Sequence, residues 1–168
     1  EGYAARYEPY VLCYDGDEPI YERFERGCFD DCDMSDVIMQ FDHAGRVFAR
    51  STNGSLVVEP DDAGLFMAAD LGRTEGARGL YADIDAEMIT KMSWRFRVGD
   101  CYWDAETRTI VHRTVKKIYD VSAVSIPAND NTEINARSWA DGVIGLAARS
   151  EAELDDRRRR LRLKIKLN

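Results

Sequence analysis

The chain has 168 residues, of which 45% are apolar and 32% are charged, and its formal net charge is −8. This composition is typical of a globular protein with one main domain, and it excludes an intrinsically disordered chain. No apolar run approaches the ~20 residues that a membrane-spanning helix needs, so we expect no membrane contact.

The charge is distributed unevenly along the chain. All 31 acidic residues lie at or before Asp156, and seven of the 23 basic residues follow it. Residues 1–156 therefore carry 16 basic against 31 acidic side chains, a net charge of −15, and such a body repels nucleic acid. The basic tail could bind RNA or DNA, but a run of like charge is more often solvated or paired with an acidic surface. We predict a main domain over residues 1–148 and a basic helical tail or docking segment over 149–168, with nucleic acid an unlikely partner.

The residues that most often bind metals are few. The cysteines and histidines are Cys13, Cys28, Cys32, Cys101, His43 and His112. Cys28 and Cys32 stand four apart, with no second pair at the spacing of zinc ligands. We expect free thiols in a reducing compartment, no metal and no cofactor.

Strand signals dominate the first half of the chain. Two loosely alternating segments, residues 2–15 and 18–29, are divided by a turn at Asp15-Gly16. The next segment, residues 35–51, alternates so that His43 stands at the end of a strand, just before a turn. Residues 56–71 carry the signature of a hairpin around a turn rich in Pro, Asp and Gly.

A helical period follows, and then strands return. Thr74 is a suitable N-cap for a helix with one apolar stripe. The members of that stripe are Ala77, Leu80, Tyr81, Ile84 and Met88. In the next strand, "KMSWRF", Ser93 and Arg95 face away from Met92 and two aromatic residues. A hairpin at residues 104–106 and a β-branched run complete a mainly β pattern, which favours a closed antiparallel sheet over a doubly wound parallel one.

A serine and a histidine are the first candidates for chemistry. A serine hydroxyl needs a base to remove its proton, and imidazole is the side chain suited to this near neutral pH. Ser93 on a polar strand face and His43 at a turn fit this pattern. The alternative is an exposed strand serine and an unrelated loop histidine.

A third group must orient the base. Asp120 lies in an apolar run, where an unpaired carboxylate is costly, so it needs a partner: the imidazole, or an arginine such as Arg95 or Arg113. His112 is the other candidate. Asp120 and His112 would lie about 26 Å apart on a continuous strand, so only one of them can belong to the site.

Several motifs in order resemble those of one protein family. They are "GYAA" at residue 2, "RGCFDDC", His43 after its strand, "STNGSLVVEPDDAGLFMAADL", "KMSWRF" and "DVSAVSIPAND". Together they resemble the caudovirus prohead serine proteases over residues 2–131, and more distantly the herpesvirus assemblin proteases.

The resemblance implies roles for particular residues. His43 and Ser93 match the catalytic pair, and Asp120 stands where relatives carry glutamate before Val-Ser. The triad of assemblin, Ser-His-His, keeps His112 as the alternative third member, although Asp120 is favoured. Arg95 replaces a small residue, and it could contact the oxyanion or the substrate.

The resemblance also implies a fold and a function. The fold would be a closed antiparallel β-barrel flanked by helices. The protein would be a phage maturation serine endopeptidase that cleaves the scaffold, or the scaffold-like segment of the major capsid protein, and then itself. It would act inside the immature head in the host cytoplasm and self-associate as a dimer or larger assembly. The alternative is a non-catalytic assembly factor that uses the same barrel for binding.

Overall fold

The computed structural model describes residues 1–126 and 133–134, which form twelve strands, one α-helix and one 3₁₀ turn at Ser51–Asn53. The strands are β1 (Gly2–Arg6), β2 (Tyr10–Asp15), β3 (Glu18–Phe24), β4 (Ile38–Phe41), β5 (Ala44–Arg50), β6 (Leu56–Pro60), β7 (Gly64–Ala69), β8 (Lys91–Val98), β9 (Cys101–Asp104), β10 (Thr109–His112), β11 (Val115–Val124) and β12 (Glu133–Ile134), and the helix is α1 (Glu75–Asp85). The predicted basic tail, residues 149–168, lies outside the described residues.

The strands form three open four-stranded sheets. Their orders are β12-β1-β7-β6, β2-β3-β10-β9 and β5-β4-β11-β8. The prediction of a mainly β chain therefore agrees with the structure, but the closed antiparallel barrel flanked by helices is wrong. None of the sheets closes, and α1 is the only α-helix in the described part of the chain.

Two parallel pairs explain why the barrel prediction failed. β10 pairs with β3 in parallel, and β11 pairs with β4 in parallel, although each pair is far apart in sequence. The alternation of polar and apolar residues along a strand indicates which face of the strand is buried. It does not indicate which other strand pairs with it. The sequence therefore predicted the strands well and their partners poorly.

The hairpins follow the turn signals. β2 and β3 pair around a turn of Gly16 and Asp17, one residue beyond the predicted Asp15-Gly16, and Gly16 has a left-handed backbone with φ +62°. β6 pairs with β7, and β9 with β10, where the sequence predicts a hairpin. The turns within these three hairpins are short, with two to four residues between the paired strands.

The aromatic face of β8 packs inward, as predicted. Met92 is fully buried, and the rings of Trp94 and Phe96 stack with their centroids 4.1 Å apart. Phe24 of β3 contacts both rings, at 5.0 and 5.5 Å. Each large apolar side chain buried in this way stabilises the fold by roughly 1.5–3 kcal/mol.

The helix begins where its cap predicts. Thr74 accepts a hydrogen bond from the backbone N–H of Ala77 at 3.2 Å, and the buried side of α1 carries Ala77, Leu80 and Ile84. The prediction is wrong for two members of the stripe, Tyr81 and Met88, which are 39% and 77% exposed. Tyr81 lies about 100° around the helix from its buried neighbour, and Met88 follows the helix end at Asp85.

No α-helix among the described residues has the length and apolarity that a bilayer crossing requires.

The four cysteines are free, and burial raises the pKa of the Cys28 thiol to about 12 and that of Cys32 to about 11. Within residues 1–126 and 133–134, no three His, Cys, Asp or Glu side chains are grouped as metal ligands.

Candidate active site

His43 stands at the tip of a tight turn between β4 and β5. Phe41 pairs with Ala44, which leaves Asp42 and His43 as the two turn residues, with φ of +46° and +58°. This left-handed backbone belongs to the turn type that matches the twist of a hairpin, but it disfavours residues with a side chain by roughly 1–2 kcal/mol each. Asp and His tolerate it better than most residues.

Contacts with β11 hold this turn in place. The backbone N–H of Asp42 donates to the carbonyl of Ala123 at 3.0 Å. The Asp42 carboxylate accepts from the backbone N–H of Ser125 at 2.9 Å and from its hydroxyl. The turn that carries His43 is thus fixed at both its backbone and its first side chain.

The imidazole of His43 bonds to a buried carboxylate. His43 Nδ1 lies 2.5 Å from Asp120 Oδ1, and the Asp120 side chain is only 2% exposed. The Ser122 hydroxyl donates to the same oxygen at 2.7 Å. An ionised carboxylate has no proton to donate, so Nδ1 carries the hydrogen, and Nε2 of the neutral ring is left as an acceptor.

A bulge in β11 turns Asp120 towards this site. Ile118 pairs with Phe96, whereas Asp120 pairs with Arg95, so the register shifts between them and Tyr119 is the extra residue. Residues two apart on a regular strand share a face, and Asp120 would then lie beside Ile118 in the apolar core. The bulge puts it on the opposite, polar face instead.

Ser93 lies on that polar face of the third sheet. It pairs directly with Ser122 across β8 and β11, and residues paired in this way have Cβ atoms about 4.5–5.5 Å apart. Asp120 is its diagonal neighbour, at about 7–8 Å. Ser93 is half-buried, and no hydrogen bond joins its hydroxyl to His43 among the described residues.

Arg95 braces the same cluster from its exposed side. Its Nη2 donates to the backbone carbonyl of His43 at 3.2 Å, and its Nε lies 3.8 Å from Asp120 Oδ2. The guanidinium is 58% exposed, so solvent screens this ion pair. The structure thus gives Asp120 two of the three partners that the sequence allowed, His43 and Arg95, whereas Arg113 lies 3.5 Å from Asp100.

His112 belongs to a different cluster. Its Nε2 lies 2.8 Å from Glu22 Oε1, and its ring stacks on Phe24 with centroids 4.7 Å apart. Tyr10 donates to the same glutamate, and His112 Nδ1 is buried without a hydrogen bond in the described part of the chain. The structure therefore brings His43 to Asp120 and leaves His112 on another sheet.

Sequence reasoning missed three contributors to the site. Ser122 could have been found, because it stands two residues after Asp120 and so shares its face on a strand. The bulge at Tyr119 has no comparable signal, since Tyr is an ordinary strand residue. The role of Asp42 in fixing the turn also depends on Ser125, which is distant in sequence.

Comparisons with known proteins identify the family. A family model described as caudovirus prohead serine protease matches residues 1–142, most of the chain. No curated protein and no solved structure matches this chain. Members of that family are serine peptidases that act in capsid maturation within the prohead, in association with capsid protein. This chain belongs to the caudovirus prohead serine protease family.

Proposed function

We propose that Ser93 is the nucleophile, His43 the general base and Asp120 the orienting carboxylate of this peptidase. The observation that carries the proposal is the hydrogen bond of 2.5 Å between His43 Nδ1 and Asp120 Oδ1, on the face that also carries Ser93. It leaves His43 Nε2 free to accept a proton. Asp120 is favoured over His112 as the third member, because His112 bonds to Glu22.

The reaction has two halves. His43 Nε2 takes the hydroxyl proton as Ser93 Oγ bonds to the peptide carbonyl carbon, and it then delivers that proton to the departing amine. Water, deprotonated by the same nitrogen, attacks the acyl carbon, and the imidazolium returns that proton to Ser93 Oγ as the acyl–oxygen bond breaks. The Asp120 carboxylate stabilises the imidazolium that forms in each half. General base catalysis of this kind contributes typically 10²–10⁴-fold to the rate.

The oxyanion needs donors as well. Backbone N–H groups near Ser93 are our first assignment, and one such donor is worth about 10²–10³-fold. Arg95 is the second, because it lies two residues from Ser93 on the same face and its guanidinium is partly exposed. Its bonds to His43 and Asp120 support a positioning role beside any contact with the oxyanion.

These roles do not require a hydrogen bond between Ser93 and His43 in the free enzyme. In free enzymes such bonds are often long and become short only when substrate is bound. The diagonal spacing of Ser93 and Asp120, about 7–8 Å, is one that an imidazole between them can bridge. The substrate would complete the contact.

The proposed substrate is the scaffold, or the scaffold-like segment of the major capsid protein, with self-cleavage afterwards. Family membership supports this assignment. We also propose that residues 1–148 are the protease domain and that the basic segment 149–168 is a docking segment. Self-association as a dimer or larger assembly would concentrate the enzyme inside the head.

Co-expression with the cognate coat protein tests the proposal. Intact mass of the coat chain should show a defined truncation with the native protein and none with Ser93→Ala. Ser35→Ala, an exposed serine bonded to Asp33, is the matched control and should cleave normally. Truncation that persists in Ser93→Ala would assign the nucleophile elsewhere.

A non-catalytic assembly factor is the second candidate, and the missing bond between Ser93 and His43 is what favours it. A serine-directed phosphonate separates the two functions. Covalent labelling of Ser93, lost in His43→Ala, supports the peptidase. Binding of coat protein without any labelling or truncation supports the assembly factor.

A further inference from the structure

We propose that Gln40 of β4 is a positioning residue, which holds the turn of His43 in place through a hydrogen bond to the backbone beyond that turn. Gln40 Nε2 donates to the carbonyl of Gly45 at 3.2 Å. This bond joins the strand that precedes His43 to the segment that follows it. The inference rests on the proposed function, because it concerns the geometry of the proposed base.

The strand register places Gln40 on the face of the proposed site. Gln40 pairs with Ser122 of β11, and Ser122 pairs with Ser93 of β8. Residues paired in this way share a face of the sheet, so the three form one row across the third sheet. Neighbouring strands lie about 4.8 Å apart, so the backbone of Gln40 lies about 10 Å from that of Ser93. At that distance Gln40 acts through the turn of His43 and not on the scissile bond.

The hairpin of β4 and β5 is irregular where Gln40 stands. The ladder pairs Met39 with Ala49, and Phe41 with Ala44. One residue of β4, Gln40, therefore faces four residues of β5. An insertion of this kind interrupts the ladder of backbone hydrogen bonds and bends the strand that carries it. The side-chain amide of Gln40 supplies a bond across this gap, where a regular hairpin would use its backbone.

Apolar burial contributes little to the segment that follows His43. The first four residues of β5 are exposed, and Gly45 has a left-handed backbone with φ +71°. Hydrogen bonds therefore decide where this part of the chain lies. Asp42 anchors the side of the turn that precedes His43, and Arg95 bonds to the carbonyl of His43 itself. The bond from Gln40 anchors the side that follows, so its loss should free that side alone.

A small movement of the turn would be costly for the base. His43 Nδ1 lies 2.5 Å from Asp120 Oδ1, and this contact sets the direction of the whole ring. A displacement of about 1 Å in a catalytic group can lower the rate by about 10²-fold. We therefore expect loss of the Gln40 bond to lower kcat by about 10- to 100-fold. KM should change little, because Gln40 does not contact the substrate.

Two substitutions remove the donor and keep the length of the side chain. Gln40→Met is apolar, and Gln40→Glu has the native shape but, when ionised, offers only acceptors. Loss of the N–H donor is thus the change that the two variants share. Arg26→Met is the matched control, because Arg26 Nη1 donates to the backbone carbonyl of Asp62, outside the site. Thermal unfolding checks that each variant remains folded.

The readout is the proton on His43 Nδ1, followed by NMR in isotope-labelled protein and identified by its loss in His43→Ala. Its exchange with water should be at least about 3-fold faster in both Gln40 variants, as expected when one hydrogen bond of the closed state is lost. The native rate should persist in Arg26→Met. The proton on His112 Nε2, bonded to Glu22 on another sheet, is the control within each spectrum. Native exchange at His43 in both Gln40 variants, or an equal increase at His112, overturns the inference.

The outcome is separable from that of the proposed function. Faster exchange at His43 in the Gln40 variants, together with an intact coat chain after co-expression with the native protein, would retain the role of Gln40 in holding the turn and reject the peptidase. Cleavage that requires Ser93 and proceeds with the native kcat in both Gln40 variants would retain the peptidase and reject the positioning role.

Discussion

Replacing Asp120 by asparagine removes a charge from the site and changes its shape very little. The native carboxylate accepts from His43 Nδ1 at 2.5 Å and from the Ser122 hydroxyl at 2.7 Å, both at Oδ1. An amide offers only one acceptor oxygen. If that oxygen faces His43, the ring keeps its tautomer but loses the negative charge that stabilises the imidazolium. If the NH₂ group faces His43, Nδ1 must accept, and Nε2 carries the proton and cannot act as base.

Either orientation removes most of the general base contribution. That contribution is about 10²–10⁴-fold, and each factor of ten corresponds to about 1.36 kcal/mol of activation free energy. We therefore expect kcat/KM for coat peptide to fall by the same factor, a rise in the barrier of about 2.7–5.4 kcal/mol. The free energy of unfolding should change much less, by about 1 kcal/mol, because the pairing with Arg95 is half-exposed and the amide is neutral.

The assay compares Asp120→Asn with Asp100→Asn under one set of conditions. Asp100 pairs with Arg113 at 3.5 Å and is exposed, so its variant removes a carboxylate of the same type outside the site. Steady-state hydrolysis and denaturant unfolding are measured for both. A fall in kcat/KM of less than about tenfold in Asp120→Asn, with the fold intact, would refute the reasoning. A fall of equal size in Asp100→Asn would do the same.

Three further predictions concern single residues. Ser122→Ala removes one donor to Asp120 and should lower the free energy of unfolding by about 0.5–1.5 kcal/mol, measured by urea titration, whereas no change would mean that the hydroxyl contributes nothing. Burial raises the pKa of the Cys28 thiol to about 12, so at pH 8 iodoacetamide should modify the exposed Cys13 more than about tenfold faster than Cys28. Equal rates of modification of the two thiols, measured by mass spectrometry, would contradict this. Hydrogen bonds from a lysine of β11 hold the pKa of the Asp33 carboxyl well below its usual range, so the native protein should be more stable than Asp33→Asn above pH of about 4. That difference, followed by thermal unfolding, should be lost as the pH falls through the depressed pKa, and a difference that grows in acid would have the wrong sign.

Local features of the fold were predictable because they depend on neighbours in sequence. The alternation in "KMSWRF" predicted that Ser93 and Arg95 lie opposite a buried aromatic face, and the structure has them there. Thr74 caps the helix where its side chain predicted. Partnerships between distant strands were not predictable, because alternation specifies a face but no neighbour. The parallel pairing of β4 with β11, which brings His43 near Asp120, is the most important example.

The contact between His43 and Asp120 depends on two departures from regular structure, and this supports a functional reading. The turn uses Asp42 and His43 with left-handed backbones where Asn-Gly would be less strained, and the bulge at Tyr119 interrupts the ladder of β11. A buried carboxylate beside an imidazole is seldom the most stable choice for a core, because apolar residues of similar volume often do as well or better. Irregularities that oppose stability are expected where the site requires a particular geometry. Here both converge on one hydrogen bond, and that bond leaves His43 Nε2 as an acceptor in the cluster on the sheet face that carries the proposed nucleophile.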